Sequence, residues 1–80
     1  MYLRSDIDIT KFLSNVMKCE EAVFFYSTVG DTLNLNSVLS QYVFLARIDS
    51  SDEWKYGKIH CVSEKDRKLL KNFLCEEAPE

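Results

Sequence analysis

The chain has 80 residues and a mass of 9.3 kDa, a length that accommodates one small domain. Its composition is 46% hydrophobic and 29% charged, which is typical of a globular chain and argues against disorder over most of its length. The net charge of -3 argues against non-specific nucleic-acid binding. No apolar run approaches the roughly 20 residues that span a bilayer, and the N-terminus lacks a signal-peptide core. We therefore expect a cytoplasmic protein without nucleic-acid or membrane partners.

The first predicted elements are a helix and a hairpin. Asp8 can cap a helix over Ile9 to Cys19, in which apolar residues recur at helical spacing. The segment Ala22 to Thr28 is dense in valine, phenylalanine and tyrosine, which favours a strand. A turn around Gly30 separates it from a second strand over Thr32 to Leu35, so these two strands are predicted to pair as a hairpin.

The second helix is predicted to begin at Asn36 or Ser37, both of which are good N-cap residues. Apolar residues then recur at i, i+3, i+4 and i+7. Other apolar residues extend around almost the whole helix, so it is either covered on most sides or exposes an apolar face, which indicates a partner. The spaced residues are Leu39, Tyr42, Val43 and Ala46, and the additional ones are Val38, Phe44, Leu45 and Ile48.

The C-terminal third is predicted to contain a loop, a strand and a helix. A polar loop spans Asp49 to Glu53, and a third strand spans Trp54 to Val62 with Gly57 as a candidate bulge. Ser63 and Asp66 resemble a capping box at the start of the last helix. Its predicted buried stripe consists of Leu69, Leu70, Phe73 and Leu74.

The predicted order is helix, strand, strand, helix, strand, helix. This order favours an α+β fold, a two-layer sandwich in which a small antiparallel sheet of about three strands carries three helices on one face. Residues 1–80 are predicted to form a single domain, with a C-terminal tail over residues 76–80 that frays.

Few residues suggest catalysis or metal binding. Cys19, Cys61 and Cys75 show no CxxC spacing, and one histidine gives no pattern typical of a metal site. His60 lies within the third predicted strand, and no serine or cysteine nucleophile is tied to it by spacing. We therefore expect a protein that is not an enzyme, with no catalytic residue, bound metal or cofactor.

The segment Asn34-Leu35-Asn36-Ser37-Val38-Leu39 resembles the HPr family, the small phosphocarriers of the bacterial sugar phosphotransferase system. In that family a strand, a short turn and a second strand lead into such a segment and then into an apolar helix. The order of elements from Asp8 to Glu76 is similar. The resemblance implies that Ser37 matches the serine that a dedicated kinase phosphorylates in Gram-positive HPr and in its histidine-lacking regulatory paralogues. Ser37 is therefore the candidate phosphorylation site.

Two departures from the family affect the expected function. The family's phosphate-accepting histidine lies just before the first helix, where this chain has Ser5-Asp6-Ile7-Asp8, so carrier activity is expected to be lost. The family also begins with a strand beside the one equivalent to Trp54 to Val62, and this chain has only Met1 to Asp6 before its first helix. The third strand is then an open edge unless Met1 to Arg4 or a second chain pairs with it.

An open edge predicts a homodimer or a protein partner along this strand. The apolar second helix is a second candidate contact surface. The candidate interface residues are Trp54, Tyr56, His60, Phe44, Leu45 and Ile48.

The expected function is that of a non-catalytic, HPr-like bacterial protein that regulates through protein–protein contacts. One alternative is an active phosphocarrier with Ser5, Asp6 or His60 as the acceptor. Another is a small bacterial or mobile-element interaction or inhibitor protein without a phosphotransferase connection, such as an acidic mimic of nucleic acid. A third is a small domain that shares only the shape of the family.

Overall fold

The computed structural model describes residues 1–48, 50 and 52–76. Within them the fold is α+β, as predicted, with five strands and four helices. The predicted numbers of about three strands and three helices were too low. The strands are β1 (Tyr2–Leu3), β2 (Val23–Tyr26), β3 (Thr32–Asn34), β4 (Lys58–Cys61) and β5 (Leu74–Cys75). The helices are α1 (Ile9–Val16), α2 (Val38–Ile48), α3 (Asp52–Lys55) and α4 (Glu64–Leu70), and a 3₁₀ helix spans Lys71–Phe73.

The sheet has the strand order β3-β2-β4-β1-β5, and its neighbouring strands pair antiparallel. The predicted hairpin is confirmed as β2 and β3, with Phe25 opposite Leu33. Gly30 has a φ of 96° in the turn between them, a conformation that glycine adopts without a steric penalty. On its other side β2 pairs with β4, where Phe25 lies opposite Ile59.

The third predicted strand is not an edge of the sheet. Tyr2 in β1 pairs with Lys58, and the backbone amide of Ile59 donates to the carbonyl of Met1 at 2.6 Å. β5 then covers the other side of β1, with Leu3 opposite Leu74. The expected open edge is therefore absent, because Met1 and Tyr2 pair with β4, which is one of the two pairings expected to close that edge.

Helices cover one face of this sheet and leave the other open. Side chains alternate between the faces of a strand, and Val23, Phe25, Ile59 and Cys61 point into the core. Their neighbours point the other way, and Tyr26, Lys58 and His60 are exposed. The predicted arrangement of helices on one face of an antiparallel sheet therefore holds for the described residues.

Local signals define α1. The side chain of Asp8 accepts hydrogen bonds from the backbone amides of Thr10 and Lys11 at 3.0 and 3.3 Å, which confirms the predicted N-cap. The helix ends at Val16, three residues before the predicted end. Its buried side chains are Phe12, Leu13 and Val16.

The α2 helix begins at Val38 and buries a different face from the one with regular spacing. Phe44 is completely buried and Ile48 is nearly so, while Leu39, Tyr42 and Val43 are exposed. Because α2 is apolar on almost every side, periodicity alone could not select the buried face.

The segment before β4 differs from the prediction. Of the predicted loop over Asp49 to Glu53, positions 49 and 51 lie outside the described residues, and α3 begins at Asp52. Trp54 is in this helix and not in a strand. Gly57 follows without forming a bulge; a β carbon at this position would lie 2.6 Å from the carbonyl oxygen of Tyr26, so glycine permits the close approach.

The capping box predicted for the last helix is not formed. Ser63 precedes α4 but makes no side-chain capping hydrogen bond. Asp66 is 2% exposed and accepts hydrogen bonds from the backbone amides of Glu20 and Glu21 at 3.1 and 2.9 Å, which joins α4 to the loop after α1. Leu69, predicted to be buried, is exposed. Of the tail predicted to fray, residues 77–80 lie outside the described residues.

Candidate functional site

The most exposed apolar surface of the described chain lies on α2. Leu39 is 73% exposed, Tyr42 68% and Val38 55%. At about 100° per residue, the exposed apolar positions cover roughly 160° of the helix circumference without interruption. We call this surface the α2 apolar face; it comprises Val38, Leu39, Tyr42, Val43, Leu45 and Ala46.

Contacts on the opposite side of α2 hold this face outward. Phe44 packs against Phe25 with ring centroids 5.0 Å apart. The side-chain amide of Gln41 donates to the carbonyls of Leu35 and Leu13 at 2.9 and 3.3 Å, which fastens α2 to the end of β3 and to α1. Because both sets of contacts lie on the inner side of α2, they fix the rotation of the helix about its axis.

Asn36 secures the segment that leads into α2. Its side-chain oxygen accepts from the backbone amide of Val23 at 2.7 Å. Its side-chain nitrogen donates to the carbonyls of Val16 and Glu21 at 3.4 and 3.3 Å. Asn36 therefore links the end of α1, the start of β2 and the start of α2, and it is not an N-cap.

Ser37, the candidate phosphorylation site, is exposed one residue before α2. Its carbonyl accepts the first helical hydrogen bond from the amide of Gln41 at 3.0 Å, and its own amide donates to the carbonyl of Asn34 at 3.3 Å. This is the N-cap position, as predicted. Ser37 therefore directly precedes Val38, the first residue of the α2 apolar face.

The structure does not bring the three alternative phosphate acceptors together. Ser5 and Asp6 lie in an exposed turn after β1, and Asp6 pairs with Arg4 at 3.2 Å. Ser5 borders a hollow of about 250 Å³ whose walls include Ile9 and residues from α2 and α3. His60 instead lies on the outer face of β4.

Three of the six predicted interface residues belong to the core. Trp54 is 4% exposed and packs against Phe25 and Phe44, with ring centroids 5.0 and 6.4 Å apart. Phe44 and Ile48 are also buried. The predicted role of these three as contact residues was wrong, because their apolar side chains fill the space between the helices and the sheet.

The other three predicted interface residues lie at the surface, on two different sides. Leu45 belongs to the α2 apolar face. His60 is exposed on the uncovered face of the sheet, directly opposite Phe24. Tyr56 is half-buried and lines a groove of about 510 Å³ together with Tyr2, Tyr26 and Lys58.

Sequence reasoning missed this uncovered face, which we call the open sheet face. It comprises the outward residues of the five strands and the adjoining Tyr56: Tyr2, Phe24, Tyr26, Thr32, Asn34, Lys58, His60, Cys75 and Tyr56. The segment Val23 to Tyr26 is apolar at every position, so no polar alternation marked which side is uncovered. Only the alternation of side chains along a strand could have indicated that Phe24 and Tyr26 point to the face opposite that of Val23 and Phe25.

The thiols of Cys19 and Cys61 are held protonated. Burial raises the pKa of Cys19 from 9.0 to about 11, and the carboxylate of Asp66 adds to this. Burial also raises the pKa of Cys61, partly offset by Arg67. Thiolates are the reactive form, so neither site favours nucleophilic chemistry at neutral pH.

The described part of the chain holds neither a metal-binding cluster nor a membrane-spanning helix. No group of three histidine, cysteine or carboxylate side chains is arranged to hold a metal ion in this part of the chain. None of its helices has the length and hydropathy to cross a bilayer.

Comparison with protein-family models, with curated proteins and with solved structures finds no match to this chain.

Proposed function

We propose that this chain is a non-catalytic, HPr-like regulatory protein that acts through protein–protein contact at the α2 apolar face. One observation carries the proposal: Leu39 and Tyr42 are 73% and 68% exposed on a helix whose opposite side buries Phe44 and Ile48. Exposed apolar patches that are contiguous mark contact surfaces in soluble proteins. The α2 apolar face replaces the third predicted strand as the proposed contact surface, because that strand is β4, which lies between β2 and β1 in the sheet.

A second copy of the chain is the occupant that best suits this face. Arg47 is the single charged residue of α2; it lies about 40° beyond Val43 on the helix circumference, outside the α2 apolar face. Its guanidinium carbon lies 5.7 Å from the ring centre of Trp54. Two copies can therefore meet without desolvating a charge, which would oppose association. The 11 residues of α2 make a helix about 16 Å long, enough for three turns to interdigitate in a symmetric pair.

The order of elements supports the HPr-like part of the proposal. The family's first strand lies beside the strand equivalent to β4, and β1 occupies that place here. The helix α1, the β2–β3 hairpin and α2 follow in the family's order.

The turn before α1 supports the loss of carrier activity. Asp8 is engaged as the N-cap of α1, and Asp6 pairs with Arg4. Two carboxylates would repel an incoming phosphoryl group, and no imidazole is present in this turn to accept it.

Phosphate transfer separates this proposal from the alternative of an active carrier. The protein is incubated with phosphoenolpyruvate and purified general phosphotransferase enzymes, and its intact mass is measured. We expect no mass increase. Phosphorylation in this assay, abolished by replacing Ser5, Asp6 or His60, would overturn the proposed loss of carrier activity.

Ser37 provides the proposed regulatory input. A phosphate at this exposed N-cap meets the positive end of the helix dipole and adds charge beside the α2 apolar face. Incubation with an HPr kinase is expected to add one phosphate to the wild-type protein and none to Ser37→Ala. Absence of a mass gain, or a gain that persists in Ser37→Ala, would remove Ser37 from the proposal without affecting the contact at α2.

A further inference from the structure

The open sheet face presents aromatic rings side by side. Phe24 and Tyr26 point outward from the same strand, with ring centroids 6.4 Å apart. Tyr2 and Tyr56 join Tyr26 in the walls of the groove of about 510 Å³. Helices cover only the opposite side of the sheet, so these rings are available to flat ligands.

The charge on this face differs in sign from that of the whole chain. Lys58 lies between Tyr26 on β2 and Tyr2 on β1. The ammonium of Lys55 lies 5.7 Å from the ring centre of Tyr56, at the border of the groove. None of the outward positions on the five described strands carries a carboxylate, although the chain has a net charge of -3.

Aromatic rings beside cations on an uncovered sheet form a surface that suits bases and phosphates together. Bases stack on aromatic side chains, and lysines neutralise the adjoining phosphates. We propose that the open sheet face binds single-stranded nucleic acid, with bases stacked on Phe24, Tyr26 and Tyr56 and phosphates near Lys58 and Lys55. This inference is independent of the contact at α2, which lies on the other layer.

The proposed site requires unpaired strands. In a duplex the faces of the bases are occupied by their neighbours in the stack, so the rings of Phe24 and Tyr26 cannot reach them. An uncharged proline-rich peptide is the other ligand that aromatic grooves recognise, but it has no phosphate for Lys58 and Lys55. The charges on the face therefore favour the nucleic acid.

Fluorescence anisotropy with the full chain tests the proposal. The probes are labelled thymidine and uridine oligonucleotides of about 12 nucleotides, within the range that single-strand sites occupy. A blunt duplex of the same length and a labelled proline-rich peptide are measured in parallel. We expect binding to the single strands that weakens with added salt, and at least tenfold weaker binding to the duplex and the peptide.

Paired variants locate the site. Tyr26→Ala is expected to weaken binding at least about fivefold, which corresponds to about 1 kcal/mol for one stacked base. Lys58→Ala is expected to weaken binding and to reduce the slope of log affinity against log salt by about 0.7, the value for one single-strand phosphate contact. Leu69→Ala and Lys11→Ala change an exposed leucine and an exposed lysine of the helical layer that lie outside both proposed surfaces, and they are expected to bind as the wild type does.

The emission of Trp54, which is buried in the core, reports whether each variant is folded. Absence of single-strand binding at low salt by the folded wild type would overturn the proposal. Equal losses in the Tyr26 and Leu69 variants would also overturn it, as would equal affinity for the duplex or preferential binding of the peptide.

Discussion

The indole of Trp54 packs against the ring of Phe25, with centroids 5.0 Å apart and ring planes inclined by 33°. Phe44 from α2 joins the pair, with its centroid 5.0 Å from that of Phe25. The three rings connect α3, the centre of the sheet and α2. This contact determines which side of α2 is buried and which side is exposed.

Phe44→Ala and Leu39→Ala test this orientation of α2. We expect Phe44→Ala to lower the free energy of unfolding by about 3–5 kcal/mol, because it empties part of the core. Leu39→Ala should change it by less than about 0.5 kcal/mol in the monomer. Urea unfolding followed by Trp54 emission at low protein concentration measures both. The opposite ranking would mean that Leu39, and not Phe44, faces the core.

Asn36→Ala tests the bridge between α1, β2 and α2. The change removes the acceptor for the amide of Val23 and the donor to two carbonyls, so we expect a loss of about 2–3 kcal/mol in the free energy of unfolding. Asn72→Ala, an exposed asparagine in the 3₁₀ helix, is the control, with a change below about 0.5 kcal/mol. Equal effects of the two substitutions would contradict the role assigned to Asn36.

Asp66→Ala tests the buried carboxylate of α4. The amides of Glu20 and Glu21 lose their acceptor, so we expect the free energy of unfolding to fall by about 2–4 kcal/mol. Asp66→Asn retains an acceptor oxygen and should lose less. Lys65→Ala breaks an exposed ion pair with Glu20 and should cost less than about 1 kcal/mol. Thermal or urea unfolding of the three variants gives the ranking, and a loss in Lys65→Ala as large as in Asp66→Ala would refute it.

Stability is expected to fall at alkaline pH through Cys19. The unfolded thiol ionises near its ordinary pKa of 9.0, whereas burial and Asp66 keep the folded thiol protonated up to about pH 11. The contribution of the protonated Cys19 thiol to the free energy of unfolding is therefore complete below pH 9, and it is lost as the pH rises from about 9 to 11. Cys19→Ala should lose less of its free energy of unfolding over this range than the wild type does. Urea midpoints measured across the range test this, and identical losses would contradict it.

Local sequence signals were sufficient for α1 and the hairpin. Asp8 and the regular apolar spacing after it define the helix, and the residues around Gly30 define the turn. Strands β1 and β5 have only two residues each, and Tyr2 pairs with Cys75 at the other end of the chain. Such pairing depends on long-range contacts, and no local pattern marks it.

The candidate contact surface could be predicted only in part. An excess of apolar residues on α2 was evident and indicated a partner. The sequence predicts Trp54 and Phe44 as contact residues because aromatic residues are common in contact surfaces. Large aromatic rings fill core space equally well. In this protein, Trp54 and Phe44 are buried between the helices and the centre of the sheet.

Sedimentation equilibrium at high micromolar concentration tests the proposed contact most directly. We predict that the wild-type chain reaches twice its monomer mass of 9.3 kDa. The double variant Leu39→Glu with Tyr42→Glu should remain monomeric with an unchanged Trp54 emission, because it places charge on the α2 apolar face. Val62→Glu, which changes an exposed valine just beyond β4, should still dimerise. A monomeric wild type, or equal disruption by Val62→Glu, would contradict the account.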